Sequence, residues 1–207
     1  LIKSIELQIK KIAIEYNISF NQSFDYRSMF KELIDNLSKI NKVVILIDEY
    51  DKPIVEFVDN MEIASEMRNI LKEFYTTMKA SDKNIRFAFL TGVSKFAKVS
   101  VFSGLNNLRD ITLSGKFSTI LGYTQNELIH YFNNRMENLA NDLNISHKRL
   151  LQEIKKWYNG YSWDAENFVY NPFSILNLFT ENKISNYWFI SGTPSFLIKL
   201  IKQNNIP

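Results

Sequence analysis

Three carboxylates, Asp48, Glu49 and Asp51, fall within four positions directly after the wholly apolar run Val43 to Ile47. Like charges this close repel one another, so the arrangement costs stability unless a cation or a basic partner relieves it. A continuous run of Val, Ile and Leu is typical of a central strand in a parallel sheet. Because ligands in open parallel sheets bind just beyond the carboxyl ends of the strands, the acids mark a candidate binding site.

Asp48 and Glu49 have the types and spacing needed for chemistry on a phosphate. One acid can hold a magnesium ion, usually through water, while its neighbour accepts a proton from, or orients, a water that attacks the phosphate. Apolar residues followed by Asp-Glu form the Walker B pattern of nucleotide hydrolases. The alternative is a buried strand that runs into an acidic surface loop, and a motif this short does not decide between the two.

A second apolar run, Ile85 to Leu90, ends at Thr91. A hydroxyl at the end of the strand beside Walker B can hydrogen-bond the attacking water or the terminal phosphate, which is the sensor role. Taken alone, the Thr-Gly pair is ordinary turn chemistry. The acids that end the preceding strand make the sensor interpretation the better one.

The elements that must position these residues follow from apolar spacing and caps. The first part is predicted to hold a helix over 4–16, a helix capped by Asp25 and running through Leu37, a strand over 43–47, a helix over 61–79 and a strand over 85–90. Strand, long helix, strand is a crossover unit, which predicts an α/β fold with a parallel sheet.

Beyond Thr91 the sequence becomes rich in turns and then helical. Thr124 with Glu127 predicts a capping box and a helix to about Leu139. A further helix is expected from Ser146 to near Gly160, with the glycine as its C-cap. The tail over 171–206 is expected to be mostly helical, with Pro172 and Pro194 each in a first turn. The predicted domains are therefore a sheet-bearing part over 1–121 and a helical part over 122–207.

Composition narrows the class of protein. Hydrophobic residues make up 45% and charged residues 23% of the 207, as in an ordered globular protein. The net charge of +3 comes without a dense Lys/Arg block, so nucleic acid as a partner has no support from charge. Zero cysteines exclude disulfides and thiolate metal sites and fit a reducing, cytoplasmic location. The longest apolar run, Val43 to Ile47, is far too short for a membrane span.

Several stretches in order resemble the bacterial AAA-ATPase-like family of P-loop proteins: "VVILIDEYDKPI", "FLTGVSKFAKVSVFSGLNNLRDITL", "LGYTQNEL", "WYNGYSW" and "VYNPFSILN". The resemblance runs from about Asn41 to Ser174 and on to Trp188. It implies a P-loop NTPase-type parallel sheet flanked by helices, incomplete at its N-terminus, followed by a small helical, lid or winged-helix-like domain. It also implies ATP and Mg²⁺ as cofactors and often a downstream nuclease-like domain of the PD-(D/E)XK kind as a partner.

By this resemblance Asp48 matches the magnesium-side Walker B acid, Glu49 the catalytic acid and Thr91 the sensor 1 position. An arginine acting in trans would complete such a site by neutralising charge in the transition state. Arg109 is the preferred candidate, and a salt bridge with Asp110 is its alternative role. A homo-oligomer is one expected assembly, since an arginine acting in trans comes from a second copy of the chain.

One part of the family pattern is missing from the sequence. The phosphate-binding loop G-x-x-x-x-G-K-[ST] is absent, and Gly115-Lys116 does not replace it because Phe117 stands at the hydroxyl position and Asp110 at the first glycine. We read Gly115-Lys116 as a turn. The simplest explanation is that the P-loop strand and helix precede Leu1, in which case residues 1–207 alone are expected to be inactive; a relative that has lost the loop is the alternative.

Two classes of function follow. In the first, the complete protein is an ATP-dependent enzyme or switch whose helical part acts as a lid or transmitter. In the second, the chain is a non-hydrolysing scaffold or protein-interaction module. A Glu49→Gln change separates them, because only an ATPase would lose hydrolysis while keeping nucleotide.

Overall fold

The computed structural model describes residues 1–93, 101–102 and 107–188. Contacts divide the chain into two compact units, one running through Arg109 and the next starting at Asp110. The structure is mixed α/β and rich in helix, with a small parallel sheet in the first unit. The domain boundary expected at residue 121 stays a prediction.

The first unit confirms the elements expected from its apolar spacing. Asp25 caps the second helix, and its carboxylate accepts the Ser28 N–H at 2.8 Å. Asn60 caps the fourth helix in the same way through the Ile63 N–H at 3.2 Å. In chain order the helices and strands are α1 Ile2–Glu15, α2 Tyr26–Ser38, β1 Val43–Ile47, α3 Lys52–Val55, α4 Met61–Ala80 and β2 Ile85–Leu90.

The two strands of this unit pair in parallel, as the crossover pattern predicted. Their register sets Ile45 opposite Ala88 and Ile47 opposite Leu90, so the strands end side by side. The chain connects them through α3 and α4, which gives the right length of crossover for a parallel pair. The residues that follow both strands therefore meet at one edge of the sheet.

The two faces of this sheet differ in how deeply their side chains are buried. On the covered face Ile45 is 7% exposed and packs in a cluster with Leu71 of α4. On the other face Val44 is 51%, Leu46 70% and Phe87 53% exposed. The parallel pairing is confirmed, but burial on both faces, as expected of a central strand, is not seen in the described residues. An apolar run determines a strand without specifying what packs on it.

The second unit contains α5 Gln125–Asp142, α6 His147–Tyr158, β3 Asn159–Tyr161, β4 Val169–Tyr170 and α7 Pro172–Glu181. The predicted capping box is present, since Thr124 accepts from the Glu127 N–H while the Glu127 carboxylate accepts from the Thr124 N–H. Pro172 occupies the first turn of α7, as expected. Pro194 lies outside the described residues.

The role expected for Gly160 is wrong. Helix α6 ends at Tyr158, and Gly160 lies within β3, which pairs antiparallel with β4. Its φ of +141° is a conformation that glycine adopts far more readily than other residues. Strands of three and two residues are too short to show an alternating pattern, so this hairpin has no periodic signal in the sequence.

The core of the second unit is closed by its own helices. Core side chains with no exposed surface come from α5, α6, α7 and β4 and are Leu128, Met136, Leu139, Leu150, Ile154, Tyr170, Ile175 and Leu178. Tyr158 joins this cluster and donates its hydroxyl to the Ser185 carbonyl at 2.9 Å. Across the described ranges, no helix has the length and apolar character that a bilayer crossing requires.

Candidate active site at the strand ends

The parallel register brings together the acids after β1 and the hydroxyl after β2. The Thr91 hydroxyl donates to Asp48 Oδ1. The Glu49 N–H lies 3.0 Å from that same Asp48 oxygen and 3.2 Å from Thr91 Oγ1. The structure thus unites the three residues that the sequence predicted to act together.

Backbone hydrogen bonds extend the pairing of β1 and β2 beyond their last residues and hold Thr91 beside the acids. The Thr91 N–H donates to the Ile47 carbonyl at 2.9 Å, and the Tyr50 N–H donates to the Thr91 carbonyl at 2.8 Å. Both backbone groups of Thr91 are therefore bonded to the segment that carries the acids. Its side chain has little freedom to leave Asp48.

Glu49 has an unusual backbone and a basic neighbour. Its φ is +51°, in the left-handed region where residues other than Gly, Asn and Asp are uncommon. Its Oε2 lies 3.1 Å from Lys52 Nζ, and the hydrogen bond to Glu49 raises the pKa of the Lys52 ammonium. Lys52 thereby relieves part of the repulsion among the acids. The pair is more than half exposed, so it adds little to stability.

Asp51 differs from the two acids before it. Asp48 and Glu49 are exposed, whereas Asp51 has no exposed surface. Both Asp51 carboxylate oxygens lie 3.0 Å from the Val93 N–H. The sequence placed the three acids in one cluster, but the structure separates an exposed pair from a buried carboxylate.

A cavity of about 930 Å³ adjoins the exposed pair. It is lined by residues of α1, α2 and the whole of β1, and it reaches Asp48 and Glu49. Its walls are mostly apolar, and the charged side chains that line it are Asp48, Glu49 and Lys52. Such a cleft is large enough for a small-molecule ligand.

The oxygen atoms of Asp48 and Thr91 suit a magnesium ion that also binds water and phosphate, rather than a metal ion bound only by protein side chains. Asp48 and Thr91 offer the hard oxygen atoms that Mg²⁺ prefers, and Mg²⁺ commonly takes one or two carboxylates with water and substrate phosphates. No group of three or more His, Asp or Glu side chains placed to hold a metal occurs within the described part of the chain. The residues present therefore fit a magnesium ion that is bound chiefly by water and phosphate.

Two other sequence predictions concern residues outside this cluster. Gly115-Lys116 lies in a single 3₁₀ turn, Gly115–Phe117, which confirms its interpretation as a turn. Arg109 is exposed and takes part in an interaction of its own. Its role as an arginine finger stays a prediction.

Comparison with known proteins gives the family. Residues 1–102 match the family described as "Predicted AAA-ATPase". Over 179 residues, 86% of the chain, the sequence is 44% identical to an uncharacterized protein in the vnfD 5' region of Azotobacter chroococcum mcd 1. The chain spans about a third of that relative's length, 33%. No solved structure matches the chain significantly.

The family match contains β1, β2 and all the residues of the strand-end cluster. It also includes α1 and α2, which precede the Asn41 start of the motif resemblance. The family recognised from the motifs is thus confirmed. Residues 1–102, just under half of the chain, match the AAA-ATPase-like family that the motifs indicated.

Proposed function

We propose that the complete protein is a magnesium-dependent ATPase of the P-loop type, to which this chain contributes Asp48, Glu49 and Thr91. The observation that carries the proposal is the hydrogen bond from the Thr91 hydroxyl to Asp48 across neighbouring parallel strand ends, with Glu49 adjacent. The match of residues 1–102 to a family described as predicted AAA-ATPases supports it.

Each residue has a distinct role in this proposal. Asp48 holds the magnesium ion through water, and the bound ion supplies positive charge to the phosphate oxygens. Glu49 orients the attacking water or accepts its proton, which requires its carboxylate to exchange Lys52 for water. Thr91 keeps the Asp48 carboxylate oriented and lies close enough to Glu49 to contact the same water.

A phosphate-binding segment from outside residues 1–207 completes the site. The sequence holds no G-x-x-x-x-G-K-[ST] loop. The cavity beside the acids and the open apolar face of the sheet leave room for further chain. The 44%-identical relative is also much longer, since this chain covers 33% of it. Residues 1–207 alone are therefore expected to bind ATP poorly.

The remaining assignments belong to the same proposal. The helical part over 122–207 acts as a lid or transmitter, and Arg109 reaches the site of a neighbouring copy in a homo-oligomer. A nuclease-like domain further along the protein receives the conformational change. Nucleic acid as a partner has no support from the net charge of +3.

The test replaces Glu49 by Gln in the full-length protein. We expect kcat for ATP hydrolysis to fall about 100-fold or more, because a general base contributes roughly 10² to 10⁴. Magnesium-ATP affinity measured by calorimetry should be retained. Glu66→Gln, on the exposed surface of α4, removes the same charge away from the site and should leave both quantities unchanged. Unaltered hydrolysis in Glu49→Gln would sink the assignment of Glu49.

A second candidate function is a non-hydrolysing scaffold. It is favoured by the missing phosphate loop and by the ion pair that already engages Glu49 with Lys52. On this alternative the full-length wild-type protein shows no hydrolysis above background, and Glu49→Gln changes neither stability nor partner binding.

A further inference from the structure

We propose that Asp51 is a positioning residue whose buried carboxylate holds the chain after β2 so that the Thr91 hydroxyl stays on Asp48. Its effect on catalysis rests on the proposed ATPase function, whereas its effect on the backbone does not. Asp51 touches neither a phosphate nor an attacking water on this proposal. It acts through Thr91.

The geometry of the carboxylate carries the proposal. Asp51 has no exposed surface, and both of its oxygens accept the Val93 N–H at 3.0 Å. A buried carboxylate is costly unless hydrogen-bond donors satisfy it, so its presence calls for a specific use. Val93 is two residues beyond Thr91, at the point where the chain leaves the sheet.

Asp51 does not serve its own helix. It stands at the N-cap position of α3, where Asp is strongly preferred because its side chain can accept a helix N–H. Here the side chain makes no such cap, and the carboxylate turns instead to the chain after the neighbouring strand. A residue kept only to begin α3 would accept from α3.

The contact completes a series that joins the two strand exits. Thr91 donates its N–H to Ile47 and accepts from the Tyr50 N–H, and the Asp51 carboxylate then binds the Val93 N–H. Thr91 is thus held on both sides along the chain. Without the last contact, the exit after Thr91 loses its bond to the acid-bearing segment.

Gly92 shows how closely the two exits approach. A Cβ on Gly92 would lie 2.3 Å from Tyr50 Cε1 and 2.8 Å from Asp51 Oδ1. Tyr50 is itself buried, with 8% of its surface exposed, and its ring packs 4.7 Å from that of Phe102. The absence of a side chain at position 92 is therefore what lets Asp51 reach Val93.

The experiment compares Asp51→Ala with Asp51→Asn in the full-length protein. The Ala variant leaves the Val93 N–H without its acceptor, whereas Asn has the same shape and keeps one acceptor oxygen. We measure kcat and KM for ATP, the melting temperature, and hydrogen exchange of the Val93 amide. Met78→Ala is the matched destabilised control, because Met78 is buried in the same apolar cluster as Tyr50 but lies in α4, away from the strand ends.

In Asp51→Ala we expect faster exchange at Val93 and a kcat about 10- to 100-fold lower with KM little changed, because a small misplacement of a catalytic group costs that much. Asp51→Asn should recover most of both. Met78→Ala should lower the melting temperature and leave kcat per folded molecule intact.

Either of two results overturns the proposal. One is unchanged exchange at Val93 in Asp51→Ala, and the other is a lower melting temperature with kcat at the wild-type value. If exchange at Val93 rises as expected but the wild type does not hydrolyse ATP, the positioning contact stands and the proposed ATPase function fails. The two failures are therefore distinguishable.

Discussion

Ile154 in the second unit has no exposed surface, whereas Leu46 in the first is 70% exposed although it lies within a strand. The helices α5, α6 and α7 enclose their own apolar core. The sheet of β1 and β2 presents Val44, Leu46 and Phe87 on a face where each of these side chains is more than half exposed. Among the described residues, the second unit thus has a closed apolar core, whereas the sheet of the first unit leaves apolar side chains exposed on one face.

The difference locates the source of order in each unit. In the second unit, burial of apolar side chains accounts for the arrangement of the helices. At the strand ends of the first unit, order comes from hydrogen bonds: the backbone pairs at Thr91, its hydroxyl on Asp48, and Asp51 on Val93. Polar contacts of this kind set positions closely while leaving the adjacent cavity open for a ligand.

The largest expected effect comes from shortening one apolar side chain in each unit, Ile154 in the buried core and Leu46 on the exposed face of the sheet. Ile154→Ala should lower the free energy of unfolding by about 2 to 5 kcal/mol, because it leaves a cavity in a closed core. Leu46→Ala should change it by roughly 0.5 kcal/mol or less in the 207-residue chain, as for an exposed site. Urea unfolding of both variants measures the contrast.

The same pair sharpens the comparison in the full-length protein. If further chain covers the open face of the sheet there, Leu46→Ala should become clearly destabilising while the effect of Ile154→Ala stays the same. Equal costs for the two variants in the 207-residue chain would contradict the contrast between an open and a closed unit.

An intermediate effect is expected from glycines, one in each unit. Gly92→Ala should cost about 1 to 3 kcal/mol, because the new Cβ overlaps Tyr50 and Asp51 and neither can move without leaving its packing. Gly115→Ala should stay within roughly 0.5 kcal/mol, since its Cβ would lie 3.6 Å from Asp164 Oδ2, an ordinary contact. Thermal unfolding of the two variants gives both numbers, and a tolerated Ala at position 92 would argue against the close approach.

The smallest expected effect concerns a helix cap in the first unit. The hydrogen bond from the Ser28 N–H, aided by Arg27, lowers the pKa of Asp25 from 3.8 to about 2. A folded-state pKa below the unfolded value means that Asp25 stabilises the fold above about pH 4 and loses this contribution as the pH falls through 2. With 39% of the side chain exposed and screened, we expect about 1 kcal/mol or less.

Asp25→Asn provides the control for this titration, because Asn can still accept the Ser28 N–H but carries no ionisable group. The difference in unfolding free energy between wild type and variant should shrink between about pH 5 and pH 2. A difference that stays constant over this range would contradict the role of the Asp25 charge. In the second unit Glu127 has its pKa lowered by the Thr124 N–H, so Glu127→Gln should behave in the same direction.

Local sequence signals were sufficient for the elements that place the site. The apolar run before Asp48 predicted β1, and the spacing over 61–79 predicted the crossover helix that makes β2 parallel to it. Because parallel strands have their carboxyl ends at the same edge of the sheet, the sequence alone predicts that Asp48 and Thr91 lie close together. Caps at Asp25 and Thr124 followed from residue type and spacing in the same way.

Other features depend on contacts distant in sequence, and these were not predictable. Asp51 and Glu49 are both carboxylates in the sequence. Only the contact with the chain that follows the neighbouring strand determines that Asp51 is buried and Glu49 exposed. The hairpin containing Gly160 lacks a periodic pattern because β4 has only two residues. The uncovered face of β1 depends on segments that a strand pattern does not specify.

The left-handed backbone at Glu49 favours a residue other than glutamate for stability, whereas the proposed chemistry requires the glutamate side chain. A residue with a Cβ in this conformation costs about 1 kcal/mol or more relative to glycine. Selection for stability alone would therefore replace Glu49 by Gly or Asn, and selection for turnover would restore the carboxylate. A library screened first for stability and then for ATP hydrolysis would enrich opposite residues at this one position, and so would reveal which pressure has maintained it.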